Sequence, residues 1–170
     1  MMVGIASDLR TGKVMTTPRR IVVGIDGSPE SRAALEWALH EAECTGREID
    51  AVLAYDSGLA WIDVGSDYES VIVERSAARA TEELHRTLDG VSSVGQGTVV
   101  VRPRVVEGGA AHVLVELAHD ADLLVVGSRG RGGFAGLLLG SVSQRCAERS
   151  HCPVVVVPGN RPEVSNGGTS

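Results

Sequence analysis

Short runs of β-branched apolar residues alternate along the chain with stretches in which apolar positions recur every three or four residues, the two periods expected of strands and helices. Ile21, Val22, Val23, Gly24 and Ile25 form the first run and predict a buried strand. Asp26, Gly27 and Ser28 then turn the chain. Ser28 before Pro29 predicts a helix start, because the hydroxyl caps free amides and proline at the first helical position gives up no bond. Leu35, Ala38, Leu39 and Ala42 mark the buried face of that helix. Residues 49–55 predict the second strand and residues 58–68 a connecting loop. A longer helix follows, with Val73, Ala77, Ala80, Leu84 and Leu88 inward, Arg79, Glu82, Glu83 and Arg86 toward solvent, and Gly90 at its end. Residues 98–106 predict the third strand and Glu107, Gly108 and Gly109 a turn, after which Val113, Leu114, Leu117 and Ala118 line the next helix. The fourth strand is expected over 123–126, a last helix over 141–149 and the fifth strand over 153–157.

This β-α alternation, ending on a strand, implies parallel strands joined by crossovers, in an open sheet with helices on both faces. Such sheets bind ligands at their carboxyl edge, where the strand order reverses, so the expected site lies among the loops after strands one, two and four. Residues 1–18 show no clear periodicity and read as a flexible leader, with Met15 a second candidate start. Residues 159–170, rich in Gly, Ser, Asn and Pro, read as a disordered tail. That leaves residues 19–158 as one domain, a size that 43% hydrophobic residues suffice to fill with a core. With only 3% aromatic residues, that core must be aliphatic.

Charge narrows the choice of ligand. The net charge is −6, which gives no general attraction to nucleic acid or anionic lipid, so any phosphate binding must be local. No apolar stretch approaches the roughly 18 residues of a membrane span and no secretory run opens the sequence, so a cytoplasmic protein is expected. Cys44, Cys146 and Cys152 fit no usual zinc spacing and read as reduced and mostly buried.

The segment from Gly127 to Ser141 follows directly on a predicted strand and leads into a helix. Its glycines let backbone amides approach an anion, and the helix after Gly140 would turn its positive end toward the loop, with Ser141 and Gln144 spaced as a capping box. Arg129 and Arg131 add positive charge in a stretch without acidic residues, where a polyphosphate would find counter-charges. A solvated glycine-rich turn is the alternative. The P-loop pattern is absent, because no lysine precedes Ser141. A dinucleotide fold of the dehydrogenase type is disfavoured, since the next strand ends at Val157 and Pro158 without the acidic residue such folds carry.

Gly127, Gly130, Gly140 and Ser141 match G-x2-G-x9-G-[ST] at every spacing, and the chain thereby resembles the ATP-binding branch of the universal stress protein family. The likeness extends to residues 21–28, 121–127 and 152–158. It implies a Rossmann-like sheet of the adenine nucleotide alpha hydrolase-like type, ordered 3-2-1-4-5, with adenine held between the ends of strands one, two and four. The resemblance places Ile25 and Asp26 at the nucleoside, although Asp26 is also a natural turn former. Ala54 would meet adenine through its backbone, where the pair Ala54-Tyr55 departs from the family's common His-Val. The loop glycines, with Ser141 and the amides of Val142 and Ser143, would hold the phosphates of ATP and a Mg²⁺ with them. The family also implies a homodimer through the last strand, whose aliphatic edge invites pairing. The expected role is a nucleotide-dependent regulator of stress adaptation. The alternatives are a slow ATP hydrolase of the same fold or a dimeric stress protein that binds no nucleotide. The loop offers no evident general base, so at most slow hydrolysis is expected.

The remaining reactive side chains read as structural. His112 and His119 share a helix face without a metal-completing partner, and His151 beside Cys152 lacks an orienting third group. Trp37 reads as packing, and Trp61 as a loop residue that could cover the ligand.

Overall fold

The computed structural model describes residues 19–58, 66–91, 99–132 and 138–159. Their elements run β1 (Arg20–Gly24), α1 (Pro29–Thr45), β2 (Glu48–Tyr55), α2 (Ser66–Asp89), β3 (Val101–Glu107), α3 (Ala110–Leu117), β4 (Leu123–Gly127), α4 (Ser141–Arg149) and β5 (Val154–Val157). The five strands form one parallel sheet ordered β3-β2-β1-β4-β5. The expected order is thus observed. The leader, most of the tail, Trp61 and Thr98 lie outside the described residues.

Each strand serves two cores because its side chains alternate between faces. Ile21 and Val23 of β1, Ile49, Ala51 and Leu53 of β2 and Val125 of β4 pack with α1 and α2 through Ala34, Leu35, Ala38, Leu39, Ala80, Leu84 and Leu88. Val22, Val52, Leu124 and Val126 face the other way, onto Val113, Leu114, Ala118 and Cys146 of the α3 and α4 side. The crossovers therefore change face at the β1/β4 junction. This leaves a gap between neighbouring loops at the carboxyl edge, the switch point of an open sheet. Asp50, buried on β2, is matched by Arg104 on β3, 3.3 Å away.

Helix starts follow local chemistry. Ser28 caps α1 in extended conformation and its hydroxyl accepts from the Ser31 amide at 3.1 Å, with Pro29 just inside. Gly46 ends α1 in the left-handed conformation, its amide bonded to the Ala42 carbonyl.

Several expectations are corrected. The loop set over residues 58–68 is shorter, since α2 already begins at Ser66. β1 ends at Gly24 and β3 begins at Val101, shifts of the size usual at strand ends. Trp37 stands on the outer side of α1, 38% exposed. Cys44 is exposed rather than buried, whereas Cys146 is buried. Glu83 does not face solvent with Glu82. It lies at the border of the buried face of α2, between Ala80 and Thr87, with its side chain 19% exposed.

Candidate functional site

One cleft opens at the switch point, with a volume of about 280 Å³, at the lower edge of the size range of small-molecule sites. Its walls include Ile25, Asp26, Ala54, Gly127, Arg129, Gly130, Arg131, Gly140, Ser141, Val142 and Ser143. All eleven residues singled out in the sequence therefore border a single space. Four further walls are apolar, Val52, Val126, Ala110 and Leu114, of which the last two come from α3. Sequence reasoning missed α3 because β3 lies at the far edge. The crossover from β3 to β4 must pass over β2 and β1, and this carries the start of α3 across the central strands.

The turn after β1 is built around the Asp26 carboxylate. Its Oδ1 accepts from the Ser28 amide at 3.0 Å and the Ser28 hydroxyl at 2.6 Å. Its Oδ2 accepts from the Arg131 amide at 3.2 Å, which ties the β1 turn to the glycine segment after β4. Burial pushes the carboxyl pKa up, but the hydrogen bonds from Ser28, Ser31 and Arg131 outweigh it and hold the group below its ordinary 3.8. Asp26 is therefore an ionised anchor at neutral pH.

The glycine segment is closed at its base. The Ser128 carbonyl accepts from the Gly140 amide at 2.7 Å and from the Ser143 hydroxyl at 3.0 Å, and that hydroxyl also reaches the Gly140 carbonyl at 2.9 Å. Ser143 is buried, so its side chain fastens the loop while its amide belongs to the first turn of α4. The expected capping box is not formed. Gly140 is the N-cap of α4 and offers no side chain, Ser141 is the first helical residue, and Gln144 turns away to Glu148 at 2.9 Å. The first-turn amides of Ser141, Val142 and Ser143 consequently have no capping side chain, and they carry the positive end of the helix dipole.

The three motif glycines, Gly127, Gly130 and Gly140, stand where packing leaves little or no room for a side chain. A Cβ on Gly127 would lie 2.8 Å from the Glu30 carbonyl carbon, 2.9 Å from its Cβ and 3.0 Å from its carbonyl oxygen, all in the first turn of α1. One on Gly130 would run into the Asp26 carboxylate, and one on Gly140 would come within 3.3 Å of the Arg129 Cα. Around Gly132, by contrast, the space is open.

The two loop arginines already have carboxylate neighbours, supplied by other elements. Arg129 Nη2 stands 3.8 Å from Glu30 Oε1, and Arg131 Nη2 stands 3.2 Å from Glu83 Oε1. Counter-charge for Arg129 and Arg131 therefore comes from within the chain. In the sequence, the hint was the position of Glu83 three residues after inward Ala80 and four before Thr87.

The remaining candidates lie elsewhere. His112 and His119 are exposed, and the His119 ring packs against that of His151 with centroids 4.9 Å apart, at the amino edge of the sheet. Among the described residues, no group of three or more His, Cys, Asp or Glu could hold a metal ion.

The sheet order, the face switch and an apolar cleft rimmed by helix amides define an α/β protein with an open, doubly wound parallel sheet. Residues 17–158 match the sequence profile of the Universal stress protein family, and the chain belongs to that family. It is 40% identical over 141 residues to a universal stress protein of Mycolicibacterium smegmatis, covering 81% of this chain and 45% of the relative. The chain spans about half the length of the curated relatives it matches, 43% to 51% in three of them. Among solved structures, the universal stress protein UspA from Lactobacillus plantarum superposes with a TM-score of 0.69 at 20% identity, over 84% of this chain and 99% of that one. A universal stress protein solved in complex with cAMP superposes with a TM-score of 0.54 at 28% identity, over 84% of this chain and 98% of that one.

Proposed function

We propose that the cleft binds an adenine nucleotide, with ATP as the ligand, and that the protein acts as a nucleotide-dependent regulator of stress adaptation. One observation carries this reading: the apolar walls Ile25, Val52, Ala54 and Leu114 and the amide-rich rim of α4 border the same cleft. A flat base suits the first and a phosphate chain the second. Ile25, Asp26 and the Ala54 backbone take the nucleoside. The glycine segment, Ser141 and the amides of Val142 and Ser143 take the phosphates, and the Ser141 hydroxyl, at the exposed start of α4, suits a Mg²⁺ that the phosphates carry in. The cAMP complex of a family member at 28% identity supports the choice of an adenine ligand.

The protein is proposed as a binder rather than an efficient enzyme. Among the described residues Asp26 is the one carboxylate bordering the cleft, and hydrogen bonds that lower its pKa make it a poor base toward water. At most slow hydrolysis is expected. Residence in the cytoplasm and a homodimer through β5 complete the proposal. Among the described residues β5 is an edge strand paired only with β4, and no helix is long and apolar enough to cross a membrane.

Thermal unfolding with and without nucleotide tests the reading. A ligand at 100 times its Kd that binds only the folded state stabilises by about 2.7 kcal/mol, roughly 5 to 11 °C for a domain of this size. Absence of a shift with ATP, ADP, AMP and cAMP at millimolar concentration, together with no co-purified nucleotide by mass spectrometry, would refute it. Phosphate release at about one turnover per second or faster would instead make the protein an enzyme.

A further inference from the structure

Arg131 stands between two depressions on the carboxyl edge. One is the cleft described above, and the other lies over the end of β2 against α2, bounded by Tyr55, Arg79 and Glu83. Asp26, Ala54 and Arg131 line both. The guanidinium of Arg131 is turned onto the Glu83 carboxylate at 3.2 Å, and the same carboxylate takes Arg86 at 2.8 Å. Two independent features hold this arrangement. The Arg131 amide is fixed by Asp26, and Gly27, at φ +76°, leaves open the space that a side chain would need. A Cβ there would overlap the Glu83 carboxylate and come within 3.0 Å of Arg131 Nη2.

We infer that Glu83 is an internal anion that competes with the ligand's phosphates for Arg131, so that it narrows the preference of the cleft for triphosphates over monophosphates. The inference deepens the nucleotide reading and rests on it. Glu83 places a negative charge behind the one loop arginine that borders both depressions, and the Coulomb cost it imposes on a ligand grows with the number of phosphates. A ligand that recruits Arg131 must also take it from a carboxylate that is largely out of water. A monophosphate that makes little use of Arg131 is spared most of this competition, whereas a triphosphate must meet it to gain the contact. Removing the charge of Glu83 therefore helps ATP more than AMP.

The test compares ATP and AMP affinities by titration calorimetry in the wild-type chain, Glu83→Gln, Glu82→Gln and the double variant Glu83→Gln/Arg131→Gln, at low and high salt. Glu82 pairs with Arg86 at 2.9 Å but its side chain is 73% exposed, so it controls for loss of a helix charge. Glu83→Gln should tighten ATP about threefold to fivefold, the size of a part-exposed ion pair, and AMP by less than about twofold. The gain should shrink at high salt and vanish when Arg131 is also replaced. Equal tightening of ATP and AMP, or no change, in a Glu83→Gln chain that still binds nucleotide overturns the competition and leaves the nucleotide reading standing. Failure of the wild-type chain to bind either nucleotide overturns both.

Discussion

Replacing Gly127 by alanine is expected to damage the fold before it damages the site. The added methyl would meet the Glu30 carbonyl carbon at 2.8 Å, its Cβ at 2.9 Å and its carbonyl oxygen at 3.0 Å. Two of these atoms are backbone in the first turn of α1, so relief requires shifting the helix or the end of β4 rather than rotating a side chain. The shift would also disturb Ser28, whose hydroxyl caps α1 and binds Asp26. Overpacking of this kind costs about 1 to 3 kcal/mol, which for a domain of this size lowers the melting temperature by roughly 2 to 12 °C. Gly132→Ala is the matched control. It borders the same cleft, has nothing within 4 Å of its missing Cβ and is not among the positive-φ glycines, so its melting temperature should stay level or rise slightly. Calorimetry or circular dichroism of the nucleotide-free proteins reads the difference. A Gly127→Ala chain that melts within about 1 °C of wild type would show that α1 yields freely, and the packing role of this glycine would be wrong.

The pH dependence of Asp26 should have a definite sign. Its folded pKa lies below the ordinary 3.8, so the stability it contributes is fully present well above that value and disappears as pH falls through the lower folded pKa. Asp26→Asn should therefore cost about 1 to 2 kcal/mol in urea unfolding at pH 7, with the gap to wild type closing below pH 3.8; a gap that widens in acid would reverse the assignment. Thiol chemistry should separate the cysteines. Burial pushes the Cys146 pKa up to about 11, and Cys44 is exposed, so iodoacetamide at pH 8 should label Cys44 in the native protein and Cys146 only after unfolding. Mass spectrometry of tryptic peptides decides it, and labelling of both at one rate would contradict the burial of Cys146.

Element type and the parallel, doubly wound class were open to sequence reasoning because they depend on short-range period and on how parallel strands must connect, whereas the strand order came from the family resemblance. The runs at Ile21 to Val23 and Leu124 to Val126, the Ser28-Pro29 helix start and the glycine spacing are each contained in a few consecutive residues. Of the eleven cleft residues, Ile25, Asp26 and Ala54 came from the family resemblance and the others from the glycine segment and the helix start after it; a doubly wound sheet brings the ends of β1, β2 and β4 to one edge whatever their sequence.

Pairings between distant segments belong to the tertiary structure. That Gly127 is small for the sake of Glu30, that Asp26 holds the Arg131 amide and that Glu83 neutralises Arg131 are facts about residues brought together across 48 to 105 positions of chain. The same holds for the capping of α4, where local spacing suggested Ser141 with Gln144 but the closing of the loop onto Ser128 puts Gly140 at the cap. Period along the chain records which face of an element is buried. It does not record which charge from another element lies opposite, because that depends on helix position and loop path, which are set only when the sheet is covered on both sides.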